Sequence, residues 1–277
     1  MSFYVELPNL LHGRNQLWYN KYRKSFGGSM YQVALFFMRF LILSVIGYFV
    51  EMITCAIVEK RWTNRGFFCG PIIPVYGIGC LLLSWVLSPF KNYFQSLILN
   101  IFFIAFLGMI LTTSLEYITG YLLEKIFHNK WWDYSKEKFN LHGRICLKNM
   151  LLFALASPIV VYLGDPIITY GLLQIKDHTL ILIANILFAI TLLDVIYSCV
   201  VAYKLRSQII IVHDLKNQKL AKIPGMLEKM VVKRLKTVKS IPKRLLHTFP
   251  FIQKQYAKEI ALLEKVFKYQ EKKRKKK

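Results

Sequence analysis

The stretch "EYITGYLLEKIF" (residues 116–127) has the composition of a membrane helix but carries a glutamate, and "EMITCAIVEKRW" (residues 51–62) repeats its pattern. Both copies begin Glu-x-Ile-Thr and reach Glu-Lys after four mostly apolar residues. Glu51 and Glu116 are 65 residues apart, and so are Glu59 and Glu124. An acid within a membrane helix is energetically costly, so its recurrence in one local frame indicates a function.

The overall composition predicts an integral membrane protein. The chain has 277 residues, of which 55% are hydrophobic and 19% charged, with a mean hydropathy of +0.37. Soluble domains average about 45–50% apolar and about 25% charged residues. The first thirty residues lack the apolar core and cleavage site of a secretory signal peptide. The five cysteines show neither disulfide-framework nor zinc-site spacing, so no metal and no cofactor are predicted.

Apolar runs of sufficient length predict five membrane spans, since a helix needs about 20 mainly apolar residues to cross a bilayer. In chain order, the predicted spans 1 to 5 cover residues 33–58, 71–87, 94–123, 147–163 and 180–203. The partly apolar residues 165–174 could lie at the membrane interface. The predicted fold class is all-α, a polytopic membrane helix bundle of about five spans with a basic cytoplasmic helical tail.

Charge divides the chain into three parts: a polar and aromatic segment (1–30), a transmembrane domain with the internal repeat (31–205) and a basic tail (206–277). From residue 204 onward there are 22 Lys and Arg against 5 Asp and Glu. Residues 226–239 alternate apolar and basic side chains at helical spacing, which is typical of a helix lying on a membrane surface. We expect the tail to contact the anionic leaflet, and no nucleic acid partner is required.

Positive charge in the loops predicts the orientation. The loops after spans 1 and 3 are rich in Lys and Arg, whereas those after spans 2 and 4 are not. Cytoplasmic loops carry the excess of basic residues, so the N-terminus is predicted outside and the C-terminus in the cytoplasm. Arg14, Lys21, Arg23 and Lys24, which precede span 1, depart from this pattern. The oligomeric state is not predicted.

Three acids are predicted at similar depth. Glu51 precedes Glu59 by eight residues, or about 12 Å along a helix, against a hydrocarbon half-thickness of about 15 Å. Glu116 stands in the same frame, and "DVIYSCVVAYK" (residues 194–204) is a weaker third copy. Threonines three residues after each glutamate share its helix face. The candidate proton- or substrate-binding residues are Glu51, Thr54, Glu116, Thr119 and Asp194.

Several partners could satisfy these acids. The basic residue of span 1, Arg39, lies near its opposite end. A proton, a cationic substrate or an arginine reaching in from a loop could each neutralise the carboxyls. Alternatively, the acids are protonated and only form hydrogen bonds between helices.

The loops after spans 1 and 3 supply further candidates. The glycines and prolines of "NRGFFCGPIIPVYGIGC" (residues 64–80) predict a broken or re-entrant start of span 2, whose amides could hold an anionic group. The alternative is a close-packed turn at a helix crossing. The loop "HNKWWDYSKEKFNLHGRICL" (residues 128–147) adds aromatic interface anchors and polar groups. The predicted cytoplasmic mouth comprises Asn64, Arg65, Gly66, Gly70, Pro71, Pro74, Tyr76, Gly77, Trp131, Trp132, Asp133, His142 and Arg144.

Three blocks carry a family resemblance: "NRGFFCGPIIPVYGIG", "SLEYITGYLLEKIFHNKWWDYS" and "NLHGRICL". They resemble the CmpB-like bacterial family of type IV ABC-transporter permeases, over about residues 36–205. The resemblance implies a polytopic inner-membrane protein that works with a separate ABC ATPase subunit. It implies neither a substrate nor a catalytic residue.

Three function classes remain open. The leading hypothesis is a permease-like protein, with Glu51, Glu116 and Asp194 as the acidic floor of a site between spans 1, 3 and 5. The first alternative is a membrane-embedded enzyme acting on a lipid or isoprenoid phosphate. There, Arg65 and Arg144 would bind phosphate, and an acid or base would come from Asp133, His142 or Glu116. The second alternative is a scaffold that recruits a partner through its basic tail. The chain has no Walker A and no H-E-x-x-H sequence, so neither ATP hydrolysis nor zinc peptidase chemistry is predicted.

Overall fold

The structure is a computed structural model that describes residues 28–60, 66–127, 130, 132–217 and 261. The predictions for the N-terminal segment and for most of the basic tail lie outside these residues. The same holds for three of the predicted mouth residues, Asn64, Arg65 and Trp131.

Helices form most of the described chain. They are α1 (Gly28–Glu59), α2 (Pro74–Leu87), α3 (Leu97–Phe127), α4 (Leu147–Ile159), α5 (Asp165–Leu173) and α6 (Asp177–Asn217). A 3-10 turn, Ser88–Asn92, continues α2, and a π-helical segment, Val160–Gly164, joins α4 to α5. Two short strands, β1 (Asn140–Leu141) and β2 (Ile145–Cys146), pair antiparallel between α3 and α4.

Five segments of the described chain are long and apolar enough to cross a membrane. They are Ser29–Ile57, Pro74–Asn92, Leu97–Ile126, Leu147–Leu173 and Asp177–Tyr203, and they are spans 1 to 5 below. The predicted all-α bundle of five spans is therefore confirmed, and the chain is a multi-pass membrane protein.

Span 4 is longer than the sequence predicted. Residues 165–173 continue it as α5, and the π-helical segment keeps the backbone helical across the junction. Pro166 falls in the first turn of α5, where a missing N–H is tolerated. Asp165, predicted in a loop, is only 7% exposed within the bundle.

Glycines and small residues allow the spans to approach closely. A Cβ at Gly77 of span 2 would overlap Ser44 of span 1, and one at Gly108 of span 3 would overlap Ser157 of span 4. Such small-residue crossings are typical of membrane helices. Apolar layers fill the remaining space, one of them built by Leu83, Leu87, Ile104 and Val161.

The chain re-enters the bundle before span 2 begins. The N–H of Ile73 donates to the carbonyl of Ser44 at 3.3 Å. Ser44 lies 13 residues before the end of span 1 at Ile57, about 20 Å along the helix axis. Residues 66–73, called the re-entrant segment below, therefore reach deep into the bundle without being helical.

Protein covers this non-helical backbone. Phe68 and Ile72 are buried with Leu41 of span 1, and Leu187 and Val195 of span 5 pack against them. Irregular backbone at membrane depth is tolerated where protein surrounds it. The segment thus fills the space between spans 1 and 5 and positions the start of span 2.

The loop after span 3 contains a hairpin that the sequence did not predict. At its tip the N–H of Arg144 donates to the carbonyl of Leu141 at 3.0 Å. His142 and Gly143 have φ angles of +54° and +69°, as in a type I′ turn. A Cβ at Gly143 would overlap Ser135, so glycine is required there for space as well as for backbone conformation. Two-residue strands are too short to show an alternating pattern.

Candidate functional site

The first motif glutamate, Glu51, is paired with a tyrosine at the start of span 2. The Tyr76 hydroxyl donates to Glu51 Oε2 at 2.6 Å, while Cys55 Sγ lies 3.6 Å from Oε1. A Cβ at Gly47 would overlap the Tyr76 side chain, so the glycine makes room for this residue against span 1. The re-entrant segment explains the contact, because it starts span 2 at the depth of span 1 where Tyr76 can reach Glu51.

The second motif glutamate, Glu116, receives a tyrosine from the loop after span 3. The Tyr134 hydroxyl donates to Glu116 Oε1 at 3.3 Å, and the Tyr134 N–H is held by the carbonyl of Gly143 at 2.8 Å. Asn149 of span 4 interacts with the same carboxyl. Glu116 Oε2 is nevertheless buried without a hydrogen-bond partner among the described residues.

The two Glu–Tyr pairs lie within electrostatic range of each other. Burial raises the pKa of Tyr134, and the charges of Glu116 and Glu51 raise it further. Glu51 also interacts electrostatically with Glu116. The structure therefore brings Glu51, Tyr76, Glu116 and Tyr134 together, and this group is called the acidic site below. Tyr134 stays a neutral hydrogen-bond donor within it.

Asp194 of span 5 has different partners. Its two oxygens accept the N–H groups of Cys69 and Gly70, each at 2.8 Å, and Oδ1 also accepts the Ser198 hydroxyl at 3.0 Å. A Cβ at Gly70 would lie 3.1 Å from Oδ2. An anionic group was expected at these amides, and the group found there is the protein's own carboxylate. Asp194 thus fastens the re-entrant segment to span 5.

The threonines of the two motifs differ in position. Thr54 is exposed and donates to the carbonyl of Val50 on its own helix at 2.8 Å. Thr119 is half-buried. Thr54 therefore points away from the acidic site, although sequence spacing placed it on the face of Glu51.

Several predicted mouth residues have a structural role. Gly66 and Gly77 are buried, Pro71 is exposed and Pro74 is the first residue of span 2. Trp132 packs on span 3, where a Cβ at Gly120 would lie 3.2 Å from its ring.

The polar mouth residues Asp133 and His142 are exposed. Asp133 accepts the N–H of Ser135 at 3.1 Å and also its hydroxyl. Burial acts to raise the pKa of Asp133, but these hydrogen bonds and the charges of Lys130 and Lys136 outweigh it and lower the pKa. Asp133 is therefore ionised and engaged, which suits a structural carboxylate better than a general acid.

Arg144 joins the hairpin to the end of span 3. Its Nη2 lies 2.7 Å from Glu124 Oε2, and its guanidinium carbon lies 5.4 Å from the ring centroids of both Tyr117 and Tyr121. The Trp132 indole donates to the Arg144 carbonyl at 2.9 Å. These contacts fix the guanidinium in one position.

Sequence reasoning missed part of this arrangement. Tyr134 was interpreted as an interface anchor, yet it is the second phenol of the acidic site. The sequence offered one signal: each Glu-x-Ile-Thr motif precedes its tyrosine partner by 25 or 18 residues, with Tyr76 at the start of span 2 and Tyr134 in the loop after span 3. Tyr117, Tyr121 and Glu124 gave no such signal. In the described residues, no group of three or more His, Cys, Asp or Glu could hold a metal ion.

Comparison with known protein families identifies the family of this chain. The family described as "Putative ABC-transporter type IV" matches residues 38–199, which is more than half of the chain. The chain belongs to this family. The matched region includes both Glu–Tyr pairs and Asp194, and membership supports a transporter-associated membrane protein. Comparisons with curated proteins and with solved structures give no match.

Proposed function

We propose that the chain is the membrane-spanning permease subunit of a transporter and that its acidic site binds a proton or a cationic group. The observation that carries the proposal is the Glu116 carboxyl, with one buried oxygen that has no hydrogen-bond partner among the described residues. A carboxylate can accept about four hydrogen bonds. Because Tyr134 is a neutral donor, its hydrogen bond does not neutralise the charge, and a proton or cation would do so.

The second glutamate supports the same interpretation. Glu51 lies within electrostatic range of Glu116, so a positive ligand between them would be attracted by both carboxyls. Asp194 serves this site indirectly, because it holds the segment that positions Tyr76. The predicted floor of three acids thus becomes a site of two acids with a supporting third.

Infrared difference spectra recorded between acidic and alkaline pH test the proposal. The purified protein is expected to show the C=O stretch of a protonated carboxyl that titrates reversibly. Glu116→Gln should remove this band and keep the side-chain size. The matched control is Glu124→Gln, which removes a carboxyl two turns farther along the same helix. An unchanged spectrum for Glu116→Gln would show that the site does not exchange protons.

The same infrared spectra also test cation binding. Addition of Na⁺, K⁺ or an organic ammonium ion should shift the band of the wild-type protein if the ligand is a cation. If no band titrates and no cation shifts a band, the glutamates only form hydrogen bonds between helices, and the proposal is wrong.

A separate ABC ATPase subunit is the proposed energy source, because the family is described by ABC transport and the chain has no Walker A sequence. The chain isolated from its own membranes in mild detergent should carry vanadate-sensitive ATP hydrolysis. An ATPase subunit that carries a Walker A sequence should co-purify with the chain in a fixed molar ratio. ATP hydrolysis by the chain expressed alone would contradict this division of labour.

The proposed orientation places the loops after spans 1 and 3 in the cytoplasm of a bacterial inner membrane. A single cysteine at Asn92, between spans 2 and 3, should react with an impermeant reagent added outside intact cells. A cysteine at Lys138, in the hairpin loop, should react only after the cells are opened. Labelling of the second variant in intact cells would overturn this orientation.

The two alternative functions have less support. An enzyme acting on a lipid or isoprenoid phosphate was expected to hold the phosphate with Arg65 and Arg144, but Arg65 lies outside the described residues. Of its three candidate acids or bases, Asp133 is ionised and engaged by Ser135. A scaffold function would depend on the basic tail, most of which lies outside the described residues. Loss of function on deletion of residues 218–277, with the five spans still inserted, would favour the scaffold.

A further inference from the structure

A small cleft opens beside the end of span 3, and Glu116 is not one of its lining residues. It has a volume of about 410 Å³ and is lined by Tyr121, Glu124, Lys125 and Arg144. Two positive side chains face one negative side chain there, so the cleft has a net positive charge. We infer that this cleft binds the phosphate headgroup of an anionic phospholipid.

The guanidinium of Arg144 is prepared to bind an anion. Glu124 and two tyrosine rings hold it in place, so little side-chain entropy remains to be lost on binding. The guanidinium has five N–H donors, and its Nη2 donates to the Glu124 carboxylate at 2.7 Å, so the group holds more donors than this single ion pair uses. Planar guanidinium groups match the oxygens of a phosphate well.

Lys125 supplies the second positive charge. Its Nζ lies 6.0 Å from the centroid of the Tyr121 ring, which Arg144 also contacts. Two cations beside one aromatic ring repel each other, and the single carboxylate of Glu124 offsets only one of them. An anion in the cleft would remove this imbalance.

The position of the cleft favours a lipid over a soluble anion. Lys125 lies in the last turn of α3, where a membrane helix reaches the level of the headgroups. Ile118 and Leu122, which precede it by seven and three residues, share its helix face and are exposed. An acyl chain can therefore lie along this stripe while its phosphate reaches Lys125 and Arg144.

Lipid titrations of the purified full-length chain, followed by native mass spectrometry, test the inference. Dioleoyl phosphatidylglycerol is expected to bind more tightly than dioleoyl phosphatidylcholine, whose headgroup is neutral overall. Lys125→Gln should weaken phosphatidylglycerol binding about fivefold, which corresponds to about 1 kcal/mol for one basic group near a membrane surface. Lys125 is the preferred position because an Arg144 variant would also break the ion pair with Glu124.

Lys148→Gln is the matched control, since Lys148 is an exposed lysine in the first turn of α4. Both variants keep the basic tail, so its non-specific attraction for anionic lipid cancels in the comparison. Equal affinities for Lys125→Gln and Lys148→Gln would overturn the site. Inorganic phosphate that displaces the lipid completely, with no gain in affinity from acyl chains, would overturn the lipid and assign the cleft to free phosphate.

Discussion

Arg39 of span 1 and Asp165 of span 4 form a two-pronged ion pair inside the bundle. Nε lies 2.8 Å from Oδ1, and Nη2 lies 2.6 Å from Oδ2. The planar fork of a guanidinium matches the two oxygens of a carboxylate in this geometry. The pair ties the end of the π-helical segment to span 1, and the two charges offset each other within the bundle.

Breaking this pair from one side should destabilise the protein more than removing it whole. Asp165→Leu leaves the Arg39 charge uncompensated in apolar surroundings, at a cost of about 3–5 kcal/mol, whereas replacement of both partners is often nearly neutral. Arg39→Leu should cost less than Asp165→Leu, because Lys91 also interacts with the Asp165 charge. Thermal unfolding in detergent should therefore show a lower midpoint for each single variant than for the double variant. Asp177→Leu, which removes an exposed acid, is the control. Additive losses in the double variant would contradict a coupled pair.

The sequence predicted the spans well because the length of apolar runs is a local property. It failed at Asp165 because Gly164, Asp165 and Pro166 together are typical of a loop. Within the bundle, a π-helical segment and an arginine 126 residues earlier in the chain make the same residues compatible with a span. A contact between residues so distant in sequence leaves no local pattern from which to predict it.

In the candidate site, too, local patterns were predictable from the sequence and contacts between distant residues were not. Residue counts predict a similar depth for Glu51 and Glu116, and the glycines and prolines of residues 64–80 predict the re-entrant segment. The partner of each carboxyl did not follow, because Tyr134 reaches Glu116 only through the conformation of the hairpin loop. The amides of Cys69 and Gly70, which donate to Asp194, were not predicted as its partners, because their position depends on the depth of the re-entrant segment.

Close packing at Gly77 should make this position intolerant of a methyl group. A Cβ there would overlap Ser44 Oγ and would lie 2.6 Å from the carbonyl oxygen of Phe40, a backbone atom that cannot move without shifting span 1. Gly77→Ala should lower stability by about 1–3 kcal/mol, as overpacking usually does. Unfolding midpoints in detergent give the measurement.

Gly171→Ala is the control for this effect. Gly171 lies in α5, and no described atom would come within 4 Å of its Cβ. Alanine is favoured over glycine inside a helix by about 1 kcal/mol, so this variant should be neutral or slightly more stable. Equal midpoints for the two variants would show that spans 1 and 2 do not approach as closely as described.

Tyr134 should resist ionisation at alkaline pH. Burial raises its pKa, and Glu116 and Glu51 raise it further, so it should remain neutral well above pH 10, about where a free tyrosine ionises. Because the folded-state pKa is the higher one, the stability it contributes is fully present below about pH 10. This contribution is lost as the pH rises through the folded-state value.

The ultraviolet titration curve of Tyr134→Phe, subtracted from that of the wild-type protein, isolates the Tyr134 phenol among the 16 tyrosines of the chain. The same subtraction in a Glu116→Gln background should give a lower pKa, since one of the two charges is removed while burial remains. A value near 10 in the wild-type protein would show that Tyr134 does not enter the acidic site.

The clamp between Asp194 and the re-entrant segment should control access to Cys69. The two N–H bonds to Asp194 are charge-assisted, and such bonds contribute about 1.5–3 kcal/mol each. Asp194→Asn keeps one acceptor but places an amide N–H₂ against the other backbone donor, so one bond is lost and a repulsion replaces it. Hydrogen exchange at Cys69 and Gly70 should then become about tenfold faster or more.

The reaction of the exposed Cys69 thiol with N-ethylmaleimide should also become faster, as measured by mass spectrometry of the peptide. Cys199, exposed on the same helix as Asp194, is the internal reference, and its rate should not change. Ser198→Ala removes only the hydroxyl donor to Oδ1 and should leave both amides protected. Unchanged exchange at Gly70 in Asp194→Asn would show that apolar packing of Phe68 and Ile72 alone holds the segment, and that Asp194 does not clamp it.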